Sequence, residues 1–296
     1  MEAIKEDRAG KLKADSFRSL IFVLLGASVI WLWTTEKLKP VFFYVAFSIL
    51  IILDLALVDK RYLNQTDFKT RKNYEKEVFA KTAADEVILQ DTDPNFRVYN
   101  YSKGLTSDAI TSYYHKSLGG YSAIKLRRYQ DIIDSSLSRN NQSVINMLNT
   151  KYFIGSDRNT GQTIAQKNPE ALGNAWFVEN YKFVKNADEE LNSIKNFNPS
   201  EIAIVDELFK DQLTGKTFSK DSSGEIKLTS YHPNRLSYKF KSNTEQLTVF
   251  SEIYYQPGWN AYIDGKLVPH FRANYILRAM VIPAGEHTID FKFEPK

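Results

Sequence analysis

FRSLIFVLLGASVIWLWTTEKLKPVFFYVAFSILIILDLALV, residues 17–58, decides the architecture. From Ser19 to Thr35 there is no charged residue, and Leu20 to Trp33 is almost wholly apolar. After Glu36, Lys37, Leu38 and Lys39, a second run extends from Val41 to Val58, broken by Asp54. At about 1.5 Å of rise per residue, about 17 or 18 helical residues just reach across a hydrocarbon core of roughly 30 Å. The reading is two membrane-spanning helices; the bland alternative is a buried helical hairpin in a soluble protein. Trp31 and Trp33 stand where the first run ends, which suits an aromatic belt at the interface. No small-x-small site follows Trp33, which argues against a cleaved signal peptide. Asp54 lies about one turn from the end of the second run. It reads as a side chain near the interface, with a functional intramembrane carboxylate as the sharper alternative.

The charges around the spans bear on orientation. The short loop carries Lys37 and Lys39. The flanks carry Arg8, Lys11, Lys13 and Arg18 before, and Lys60, Arg61, Lys69, Arg71 and Lys72 after. Two spans return the chain to its starting side, and this count alone places the remaining chain in the cytoplasm. Over 296 residues, 39 basic and 35 acidic side chains leave a net charge of +4. No basic block with interleaved aromatics occurs, so nucleic acid is not an expected partner. There is no cysteine, which excludes disulfides, thiolate catalysis and sulfur-bound zinc. His115, His232, His270 and His287 lack the i, i+4 spacing of a helical metal site, so neither metal nor cofactor is expected.

Beyond the spans, residues 61–80 are polar and read as a connector or surface helix. Thr82 has the character of an N-cap, with Asp85 three residues on, for a short helix through Ile88. Asp91-Thr92-Asp93-Pro94-Asn95 opens like a calcium loop, but Phe96 stands where the turn glycine belongs and Ser102 where a bidentate glutamate belongs. The densest polar-aromatic stretch is Ser112 to Tyr121, SYYHKSLGGY, whose paired glycines permit tight turns or a close approach. A helical pattern follows with Ile124, Tyr129, Ile132, Ile133 and Leu137 on one side and Arg127, Arg128 and Asp131 beside them. Such aromatics can stack on a sugar and such cations can bind an anion; a packed helix-turn-helix with surface arginines explains the same residues. Asn149 to Ile154, Ala175 to Val178 and Ile202 to Val205 read as strands, with a helix starting at Asp188. From Ile226 the pattern alternates: Leu236, Tyr238 and Phe240, then Leu247 and Val249, then Ile289, Phe291 and Phe293. Asp264-Gly265 marks a hairpin.

Three stretches, Ser112 to Ile132, Asn168 to Val178 and Tyr254 to Pro295, resemble the YfhO family of bacterial membrane proteins, as does the end of the second span, Asp59-Lys60-Arg61-Tyr62-Leu63-Asn64. The resemblance covers the family's C-terminal part. It implies a parent similar to C-type glycosyltransferases, with an acidic catalytic residue on an early extracytoplasmic loop and a polyprenyl-phosphate-linked sugar as donor. It also implies an extracytoplasmic body, against the Lys/Arg count. Where relatives carry histidine after Gly-Gly-Tyr, this chain has Ser122, which leaves His115 as the imidazole of the segment.

The expected architecture is two transmembrane helices followed by a mixed α/β domain and a C-terminal all-β sandwich domain. The bounds are an N-terminal segment at 1–16, the anchor at 17–60, the connector at 61–80, the α/β extracytoplasmic domain at 81–218 and the sandwich at 219–296. The expected function is the soluble part of a glycosyltransferase acting on cell-envelope glycans, the chain alone being inactive; the alternatives are a membrane-anchored carbohydrate-binding or assembly module and a structural ectodomain. Binding candidates are Tyr113, His115, Tyr121, Arg127, Arg128, Trp176 and Trp259; the sequence assigns no catalytic residue. The expected partners are the lipid bilayer and a polyprenyl-phosphate sugar or envelope glycan.

Overall fold

The computed structural model describes residues 2–93, 95–157 and 160–295, so Pro94 of the acidic loop lies outside the described residues. Two compact units emerge, Met1–Glu77 and Val78–Lys296.

The first unit is built on α1 (Glu2–Thr34) and α2 (Pro40–Tyr62), both long and apolar enough to cross a membrane. Helix α1 begins well before the apolar run, so the polar residues ahead of Ser19 are helical too. Pro40 occupies the first turn of α2, where its missing N–H is harmless, and Lys60 and Arg61 sit in the last turn, opposite the negative end of the helix dipole. No described residue of α2 is buried, as a lipid-facing helix requires. The two helices pack against each other: a Cβ on Gly26 would meet Phe47 at 3.9 Å. At the loop end Trp33 stacks on Phe43 at 4.8 Å. At the other end Asp54 faces Arg18 at 3.3 Å and Asp15 faces Arg61. Asp54 is therefore neutralised by an ion pair with the neighbouring helix, which lowers the cost of a carboxylate near lipid. Helix α3 (Arg71–Val78) follows.

The second unit opens with α4 (Ala83–Ile88), whose capping box joins Thr82 and Asp85 as the sequence predicts. Next come β1 (Arg97–Asn100), α5 (Thr111–Tyr114), α6 (Arg127–Ser135) and α7 (Gln142–Met147). Then follow β2 (Thr150–Ser156), β3 (Thr163–Lys167), β4 (Ala175–Val178), β5 (Asn180–Val184), α8 (Ala187–Ser193) and β6 (Ile202–Asp206). After a 3-10 helix at Glu207–Gln212 come β7 (Glu225–His232), β8 (Arg235–Ser242), β9 (Gln246–Ile253), β10 (Trp259–Ile263), β11 (Lys266–Val268), β12 (Phe271–Ala273), β13 (Leu277–Ile282) and β14 (Gly285–Phe293).

These strands form a three-stranded sheet ordered β1-β2-β3, a five-stranded sheet ordered β11-β10-β14-β8-β7 and a six-stranded sheet ordered β4-β9-β13-β12-β6-β5. The five-stranded sheet is antiparallel and turns at Asp264-Gly265, both in the left-handed region that such a tight hairpin demands. Its inner face packs against the six-stranded sheet through Tyr238, Phe240, Ile289 and Phe291 on one side and Phe177, Phe250, Met280 and Ile282 on the other. Each such fully buried side chain contributes about 2 kcal/mol. The six-stranded sheet reaches back into the mixed region for β4, β5 and β6, and its other face carries Trp176, Val249, Leu277 and Ala279 against Ile132, Ile145 and Ile194 of the helical layer. Covered on both faces, β9 is buried at six consecutive positions, and a simple alternation of apolar and polar residues is lost there. Ile124 differs from its expected place on the apolar side of a helix. It is 93 % exposed, because the helix begins three residues later at Arg127.

Candidate functional site

The SYYHKSLGGY stretch runs beside β1: the Val98 N–H donates to the Lys116 carbonyl at 2.9 Å and the Leu118 N–H to the Val98 carbonyl at 2.8 Å. Ahead of it Asp108 caps the short α5 through the backbone N–H groups of Ile110 and Thr111. The two glycines serve the chain's own packing. A Cβ on Gly119 would stand 2.0 Å from the Leu105 carbonyl oxygen, and Gly120 has φ of +126°.

The predicted residues divide. His115 is buried, and its Nε2 lies 2.8 Å from Asp85, the carboxylate that also closes the capping box of α4. Tyr113 stacks on Phe79 at 4.3 Å yet is 58 % exposed, and Tyr121 is 75 % exposed. Arg127 is open to solvent beside Asp131 at 3.0 Å. Trp176 fills the core, its indole N–H donating to the Pro199 carbonyl at 2.7 Å. Trp259 is half-buried at the start of β10, with the Arg278 guanidinium 4.0 Å over its ring. The structure thus brings Arg127 and Arg128 to one place and sets the two tryptophans in others.

Arg128 belongs to a buried charge cluster that sequence reasoning did not pick out. Its Nη1 donates to Glu190 of α8 at 3.1 Å and to the Tyr275 carbonyl at 3.3 Å. Glu190 is fully buried, accepts the Tyr275 N–H at 2.9 Å and faces Arg272 at 3.5 Å. Burial pushes the Glu190 carboxyl above the ordinary glutamate range, against the pull of Arg272 and Arg128. Asn274 and Tyr275 both have positive φ in the β12–β13 turn, and Asn274 docks it by accepting the Ile204 N–H on its side chain at 2.9 Å. In sequence, Asp188-Glu189-Glu190 reads as the ordinary acidic first turn of a helix, so nothing marked Glu190 as buried.

Between these elements opens a cleft of about 160 Å³ lined by Leu126, Arg127, Arg128, Tyr129, Ile253, Tyr254 and Ile276. The start of α6 faces it, and Leu126 provides no side-chain cap there. The cleft offers cations, phenol rings and an apolar floor, a combination suited to a phosphate joined to a sugar.

The acidic loop, by contrast, is already filled. The Lys151 ammonium lies 2.8 Å from Asp91 and 2.9 Å from Asp93, and the Tyr152 hydroxyl donates to Asp91 at 2.8 Å. The Lys151 ammonium thus bridges the two carboxylates of the loop.

Residues 208–296 match the family described as bacterial membrane protein YfhO, which bears out the resemblance over the C-terminal portion and, with two helices long and apolar enough to cross a membrane, supports membrane localisation. No curated protein matches the chain, and no solved structure does.

Proposed function

We propose, from the match of residues 208–296 to bacterial membrane protein YfhO, that this chain is the C-terminal portion of a glycosyltransferase that uses a polyprenyl-phosphate sugar to modify cell-envelope glycans. Both spans cross the cell membrane, the body faces the extracytoplasmic side, and the catalytic acid resides in a membrane region outside this chain. The supporting observation is the cleft at the start of α6, where Arg127 and Arg128 stand beside Tyr129 and Tyr254. Arg127 has most of its surface free to meet a phosphate, while Arg128 is held in place by Glu190. In this role the body selects and orients the lipid-linked donor, and proton transfer belongs elsewhere.

The test is native mass spectrometry of the chain in nanodiscs with a polyprenyl-phosphate hexose. Donor retained by the native chain and lost on Arg127→Ala supports the reading. Equal retention of polyprenyl phosphate, a neutral polyprenol and the hexose conjugate by both forms refutes it. A non-catalytic glycan-binding module is the second reading, and the exposed rings of Tyr113 and Tyr121 favour it.

A further inference from the structure

Strand β9 contains a bulge just ahead of Ile253. Leu277 of β13 pairs with Ile253, but the next residue, Arg278, pairs with Phe250, which leaves Ser251 and Glu252 out of the ladder. Guanidinium groups take carbonyls at the bulge and just beyond it. Arg97 Nη1 donates to the Ser251 carbonyl at 2.9 Å, and Arg278 Nε donates to that of Ile253 at 3.1 Å. A third cation arrives from the SYYHKSLGGY stretch: the Lys116 ammonium sits 3.1 Å over the Tyr231 ring and donates to Asn95. Asn95 in turn donates to Glu252 at 2.9 Å.

Three cations therefore gather around one carboxylate, and none of them forms an ion pair with it among the described residues. Asp93, whose field also reaches Lys116, is held by Lys151. Ser251, Glu252 and Ile253 are consecutive, so Arg97, the Asn95–Lys116 pair and Arg278 meet one short stretch of β9. Arg278 is 3 % exposed and its Nη1 is buried with no hydrogen-bond partner. An unbonded guanidinium N–H at that depth is costly, and an acceptor reaching it from the rim removes the cost. The rim is accessible, since Lys116 is exposed and Tyr231, Glu252 and Trp259 are partly so. Burial pushes the Lys116 ammonium down to about 8, with Glu252 opposing and Arg97 adding to the shift, so a bound anion has charge there to restore.

We infer that the β9 bulge is a binding site for an oxyanion carried by a glycan, a phosphate or a uronate carboxylate, held by Arg97, Lys116 and Arg278 between the Trp259 and Tyr231 rings. Guanidinium forks suit such oxyanions, and the rings give the attached sugar a surface. The inference does not rest on sugar transfer, and its test contains no lipid-linked donor.

The full chain in detergent micelles is dimethylated with ¹³C on its lysines, and the Lys116 resonance is identified by its loss in Lys116→Arg. Inorganic phosphate and glucuronate are titrated separately. Saturable movement of that resonance, with its titration midpoint raised from about 8, is the expected result. Response to phosphate assigns a phosphorylated glycan, and response to glucuronate assigns an acidic sugar. Calorimetry then gives binding weakened about tenfold in Lys116→Gln and tightened by a similar factor in Glu252→Gln, where the competing charge is gone. A resonance that neither anion moves, or affinities equal in the three forms, overturns the site.

Discussion

Replacing Asp91 by asparagine keeps the side chain's shape and removes its charge, which isolates what that charge contributes through Lys151, the Asp93 backbone and Tyr152. Burial alone pushes the Asp91 carboxyl up, but hydrogen bonds from Lys151, the Asp93 backbone and Tyr152 outweigh it and hold the group at about 2 against an ordinary 3.8. That difference is worth roughly 2.5 kcal/mol, and solvent at the loop trims it to about 2 kcal/mol. Because the folded value is depressed, the stabilisation is complete above the unfolded value of about 4 and is lost as pH falls through about 2. Urea denaturation of the full chain in micelles, followed by near-ultraviolet circular dichroism, reads the gap between native chain and Asp91→Asn. It is expected to be about 2 kcal/mol at neutral pH, to shrink to about half near pH 3, and to close below about pH 2. A gap that stays constant with pH, or one below about 0.5 kcal/mol at neutrality, refutes the role given to the Asp91 charge.

The other expectations concern packing. Phe291→Ala removes a fully buried ring that meets Phe250 edge-on at 4.9 Å, and calorimetric unfolding is expected to show a loss of about 3–5 kcal/mol. Gly119→Ala forces a carbon to 2.0 Å from the Leu105 carbonyl and is expected to cost about 2 kcal/mol or more in denaturation. In Gly155→Ala the new carbon meets nothing within 4 Å, so the same assay is expected to show less than about 1 kcal/mol. Trp176→Phe loses the hydrogen bond to Pro199 and is expected to cost about 1–2 kcal/mol, measured as a lowered Tm.

How far the sequence could be read depended on whether a feature was local. The spans, the Thr82–Asp85 capping box and the Asp264-Gly265 hairpin rest on neighbouring residues, and each stands where the pattern places it. The sandwich was legible through Leu236, Tyr238 and Phe240, which alternate because one side of β8 faces water. The recruitment of β4 and β6 was not legible, because a strand covered on both faces carries no alternation to connect it with a distant partner. Long-range charge clusters were hidden for the same reason. Lys116 and Tyr231 meet across the fold, and Glu190 looked like any helix-opening acid. Arg278 did leave a signal: a lone arginine in the apolar run from Ile276 to Ile282 needs either a buried acceptor or a ligand. Of the binding candidates, Arg127 and Arg128 share a cleft, whereas Trp176 was chosen for a ring that the core uses.

The central proposal is a body on the extracytoplasmic face, and the absence of cysteine gives a clean means of testing it. Single cysteines are introduced at Ser222, exposed before β7, and at Lys39, in the loop between the spans, and intact cells are treated with a membrane-impermeant maleimide. The account predicts that Ser222→Cys is labelled at once and that Lys39→Cys is labelled only after the membrane is opened. The reverse pattern would place the body in the cytoplasm, as the Lys/Arg count alone suggests, and would contradict a role in building envelope glycans.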